Sequence, residues 1–214
     1  ERLPGRPDLL TAARDVPARQ RTLRAVIEWS WNLLDPAERR AMARLALLAD
    51  GFTLAAAEAL VGAQAADLLD ALVSHSLLVV RDRGLPRFHM LVTVRDFALE
   101  QLSASGDEVA ARAALHEWAV DLCSQIRFPI DAGDFGDVSH PESRHHDRLF
   151  QEVAHNEAVI LQQLDRLLAR ADDYGSDRLS ADLRDAICFI GAALMRLWSV
   201  TWSYERIADY GPRL

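Results

Sequence analysis

The residues of this 214-residue chain that could do chemistry form three groups. His140, Glu142, His145, His146 and Asp147 crowd one short stretch, and imidazole with carboxylate is the ligand set zinc prefers. The spacing HxExxHHD fits no helical ligand pattern, because adjacent His145 and His146 point in different directions on any regular element. A solvated, polar loop is the reading, and no metal is expected. Arg81, Arg83 and Arg87 surround a single Asp82 and read as a solvated turn or a contact with a charged partner in preference to phosphate contacts. Trp29, Trp31, Trp118, Trp198 and Trp202 could build an aromatic cage, but at these spacings they read as packing between helices. Trp198 and Trp202, four apart, are expected on one face of a helix.

Other chemistries are closed off. All 24 basic residues are arginine, so neither the lysine of a phosphate-binding loop nor that of a Schiff base can be supplied. No Ser, His and Asp or Cys and His arrangement carries a supporting motif such as GxSxG, so no nucleophile or cofactor is expected and the chain reads as a non-enzyme. Cys123 and Cys188 lack a CxxC partner and read as reduced thiols. The net charge of -8 is uneven: residues 1–105 hold 13 Arg against 13 acidic residues, and residues 106–214 hold 11 against 19. That balance opposes a broad nucleic-acid face. No run approaches ~18 apolar residues and no leader pattern is visible, so no membrane contact is expected and the cytoplasm is the expected compartment. A start at Glu1 rather than Met predicts a piece of a longer polypeptide.

The elements that position these groups follow from periodicity. Residues 1–20, with Pro4, Pro7 and Pro17, read as a linker. Leu23, Val26, Ile27, Trp31 and Leu34 fall at helical spacing. Asp35-Pro36-Ala37-Glu38 predicts a capped helix start, followed by the stripe Met42, Leu45 and Leu48. Thr53 caps a helix to about Val61, and another runs from about Ala66 to Ser76. Leu77 to Arg81 and Arg87 to Leu91 then read as strands of a β-hairpin. Thr93 is the expected cap of a helix bearing Val94, Phe97, Ala98 and Leu102, closed by Gly106. Helices, hairpin, helix: residues 21–105 predict a winged-helix domain. Residues 106–214 read as an antiparallel, TPR-like helical domain, with stripes at Leu115 to Ile126, Phe150 to Leu168 and Leu183 to Thr201, and a loop over about Arg127 to Arg144.

The run from Arg21 to Leu34, with Pro36 to Arg40, Gly51-Phe52-Thr53-Leu54, Leu72 to Val80 and Thr93 to Ala98, resembles the winged helix of STAND-type ATPases related to NB-ARC proteins. The nearest likeness is to actinobacterial transcriptional regulators of the SARP and LuxR types, over roughly residues 8–170. Glu152-Val153-Ala154-His155-Asn156 is similar to the Glu-x-x-x-Asn helix that opens that family's sensor region. The resemblance implies a winged helix that packs as a lid on a nucleotide-binding module of the same parent chain, and a helical region that senses a ligand or partner, with DNA bound by another domain. Met90-Leu91-Val92 stands where eukaryotic relatives carry Met-His-Asp, so no nucleotide-sensing His is implied. Arg81, Arg83, Arg87 and Arg95 are the candidate contacts to the parent module; for Arg95, pairing with Asp96 or Asp35 is the alternative. The rival function is a stand-alone winged-helix factor, although the reader helix, Ala66 to His75, offers Asp67, Asp70 and no Arg.

Overall fold

A computed structural model describes residues 12–48, 51–82, 86–126, 141–174 and 179–214, with backbone alone at 12–21, 82, 141–146 and 174. It is mainly helical, with one small antiparallel sheet. Helices α1 (Ala12–Leu33), α2 (Pro36–Leu45), α3 (Leu54–Val61) and α4 (Ala65–Ser74) precede strands β1 (Val79–Asp82) and β2 (Pro86–His89). Helix α5 (Val92–Ser105) completes the winged helix, and α6 (Glu108–Ser124), α7 (Pro141–His155), α8 (Glu157–Tyr174), α9 (Ala181–Val200) and α10 (Tyr204–Tyr210) follow.

Local chemistry explains where the helices start and stop. Asp35 accepts the Glu38 amide at 2.8 Å while Glu38 accepts the Asp35 amide at 2.8 Å, a reciprocal capping box with Pro36 at the first helical position. Thr53 accepts from the Ala56 amide, Ser180 caps α9 through the Leu183 amide, and Gly106 closes α5 at φ 75°. The hairpin pairs Val79 with His89, Val80 with Phe88 and Arg81 with Arg87. Phe52, between α2 and α3, adds an isolated bridge to Phe88, exchanging backbone hydrogen bonds of 3.0 and 2.9 Å.

Several boundaries differ from the periodic reading. Residues 12–20 of the expected linker are already helical, and α1 runs through Pro17. Thr93 is not the cap of α5: Leu91, in extended backbone leaving the hairpin, holds that position without a side-chain bond, and the helix begins two residues earlier than expected. The loop expected to Arg144 ends before Pro141, where proline's missing amide costs nothing in a first turn. The Phe150 to Leu168 stripe is two helices broken at Asn156. Helix α10 had no periodic signal.

Two apolar clusters share α6. Met42, Leu45, Phe52, Leu69, Leu72, Phe97 and Leu102 fill the winged helix, and Leu115 of α6 and Val159 of α8 belong to the same cluster. Ala119, Leu122, Val153, Ile160, Leu164, Ile190, Leu194 and Trp198 make the other, and Trp118 packs against both. Each fully buried Leu stabilises by about 1.5–3 kcal/mol. Helix α9 packs against α6, α7, α8 and α10. No described helix is long and apolar enough to cross a membrane.

Candidate interaction surfaces

The helix in the DNA-reader position is α4. Its Ala65, Leu69 and Leu72 are buried, and Ala66, Asp67 and Asp70 are exposed. The solvent face is therefore acidic, and a phosphate-lined groove repels it.

The three described candidate arginines differ in their surroundings. Arg81 is exposed on β1, and Arg83 lies outside the described residues. Arg87, its cross-strand partner, is half-buried and donates through Nη2 to the Gly51 carbonyl at 2.8 Å and to the His155 carbonyl. Arg95 donates through Nε to the Ala46 carbonyl at 2.8 Å, satisfying the C-terminal end of α2. That bond replaces the alternative pairing with Asp96 or Asp35. Two of the four guanidinium groups therefore hold backbone carbonyls.

Apolar exposure is the stronger surface feature. At the start of α5, Leu91 is 57% and Val92 72% exposed. On α1, Val26, Trp29 and Leu33 share a solvent face, and Trp29 is 65% exposed. Large apolar side chains clustered in this way mark surfaces that meet other chains.

The tryptophans divide by environment. Trp198 is fully buried and donates from Nε1 to Glu157 Oε1 at 2.7 Å, whereas Trp202 is 74% exposed at φ 58°. They do not share a face, because α9 ends at Val200 and the backbone turns left-handed at Trp202. Trp31 meets Phe97 edge-on inside the winged helix.

The histidine-rich stretch lies largely outside the described side chains, although its backbone is helical from Pro141. Among the described residues no group of His, Cys, Asp and Glu could hold a metal ion. Cys123 is buried and its thiol is pushed up to about 12 by burial, while Cys188 is exposed.

Long-range ion pairs went unseen in the sequence. Asp107 accepts from Arg44 at 2.6 and 2.8 Å and from Arg40 at 3.1 Å, and these hydrogen bonds hold its carboxyl well below the ordinary range. Arg24 of α1 reaches Glu100 of α5 at 2.7 Å. The partners are 63 to 76 residues apart, beyond any local spacing rule. An open groove of about 660 Å³ beside Asp107 is lined by Trp31, Arg39, Arg40 and Gln101 among others.

Comparison with known proteins agrees with this architecture. Residues 34–103, which span α2 to α4, the hairpin and most of α5, match the family described as "Winged helix-turn-helix domain". A Mycobacterium tuberculosis protein named "Putative HTH-type transcriptional regulator" is 37% identical over 130 residues, covering 58% of this chain and 15% of the relative. A Mycobacterium bovis protein of the same name matches equally. A second M. tuberculosis protein, named "Uncharacterized protein", is 39% identical over 116 residues, 49% of this chain and 29% of its own length. The match thus spans between 15% and 29% of the length of these relatives. No solved structure matches significantly.

Proposed function

We propose that this chain is the regulatory core of a longer transcriptional regulator of the STAND ATPase type. In this reading the winged helix is a protein-contacting lid on a nucleotide-binding module of the parent chain. The helical region receives a ligand or partner protein, and a separate domain binds DNA. The chain itself is not the catalyst. The observation that carries the reading is the face of α4, which exposes Asp67 and Asp70 and has no Arg. Sequence-reading winged helices need cations there to neutralise phosphates and to make bidentate contacts to guanine. The exposed Leu91 and Val92 suit burial against another protein surface and offer nothing to a phosphate.

The second reading is a winged-helix factor that binds DNA directly. It is favoured by the names of the relatives and by the exposed Arg81 on the hairpin. Fluorescence anisotropy with labelled duplex DNA separates the two. The lid reading expects no rise in anisotropy even at low salt. A rise that falls steeply with added salt would overturn it, because that dependence is the signature of phosphate neutralisation.

A further inference from the structure

We infer that the break between α7 and α8 is a mechanical joint that couples the helical region to the wing hairpin. Three separate parts of the chain meet there. Thr53, the cap of α3, donates its hydroxyl to Glu152 Oε1. Asn156 donates through Nδ2 to the same Glu152 oxygen at 2.9 Å and to the Glu152 carbonyl at 2.9 Å. Arg87 of β2 crosses to the His155 carbonyl and also holds the Gly51 carbonyl. The α2–α3 connection, the return strand of the wing and the end of α7 are thereby tied to one another by contacts 68 and 99 residues apart in sequence.

The chemistry suits a joint rather than a static rivet. Asn156 is 1% exposed, and its Oδ1 has no hydrogen-bond partner among the described residues. An unsatisfied buried acceptor costs free energy in the closed arrangement, which lowers the cost of opening it. The joint also sits where α7 ends: the Asn156 amide reaches both the Glu152 and Val153 carbonyls, and Ile160 then bonds back to Asn156 as α8 begins. Movement of α7 against α8 must shift Glu152 and the His155 carbonyl together, and with them Thr53 and Arg87. This inference rests on the contacts alone and holds whether the winged helix meets protein or DNA.

Hydrogen exchange on the whole chain tests it. Glu152→Ala is expected to speed exchange of the hairpin amides at Arg81, Arg87 and Phe88 by about tenfold or more, while the interior of α2 and α5 keeps its wild-type rates. Glu152→Gln, which retains an acceptor, is expected to restore slow exchange. Coupling is reciprocal, so Arg87→Met, made from the wing side, is expected to speed exchange around residues 152–160. Faster exchange confined to the mutated side in both variants, or a uniform rise throughout the chain, would overturn the joint.

Discussion

Asp107 shows how one side chain can join elements that no local rule connects. It lies just before α6 and accepts from Arg40 and Arg44 of α2, so it ties the start of the helical region to the winged helix. Removing its charge leaves Arg44, a partly buried cation, without its carboxylate. Asp107→Asn is expected to cost about 2 kcal/mol at neutral pH, the scale of hydrogen bonds to charged groups. The sign with pH is fixed by its depressed folded-state pKa. The stabilisation is fully present above the unfolded carboxylate value near ~4 and is lost as pH falls toward the folded value. Urea titrations of both proteins between neutral pH and pH ~3 should show the gap narrowing only at the acid end.

At the scale of elements, the wing is held by its neighbours more than by its own two strands, since an isolated two-stranded hairpin is marginal in water. Phe52 bridges Phe88 through two backbone bonds and a stacked ring contact at 5.9 Å. Gly51 makes that approach possible: it sits at φ 87°, and a Cβ there would come within 2.3 Å of the His89 ring. Gly51→Ala is therefore expected to destabilise by about 1–3 kcal/mol through backbone strain and collision. Denaturation should show the loss, and exchange should show it first at the Phe52 and Phe88 amides. An unchanged midpoint would mean that the wing does not depend on this contact.

At the scale of the molecule, the apolar clusters of the winged helix and the helical region adjoin and are linked by shared residues. Val159 of α8 lies in the apolar cluster of the winged helix, and Trp118 packs against both clusters. Burying an unpaired carboxylate at such a position costs several kcal/mol. Val159→Asp is expected to lower the melting temperature of both regions together in a single transition. Coincident far-ultraviolet and tryptophan signals would check this, and separate transitions would show that the two regions are independent.

What was legible in the sequence was what short-range physics decides. The capping box at Asp35, the cap at Thr53, the stop at Gly106 and the buried stripes of α2, α5 and α9 all depend on residues within a few positions of one another. The order of helices and hairpin, and with it the winged helix, follows from those local signals. The absence of lysine and the acidic face of α4 were equally plain, because composition needs no coordinates. Tertiary structure alone decided the rest. Arg87 and Arg95 read as outward-facing cations, yet each turns to a backbone carbonyl supplied by a distant segment. The stripe from Phe150 to Leu168 hid a break at Asn156, because apolar residues continue at helical spacing on both sides of it. Hydrogen-bond partners 36 to 103 residues away leave no periodic trace in a chain, so the joint that links wing to helices emerges only when the chain is folded.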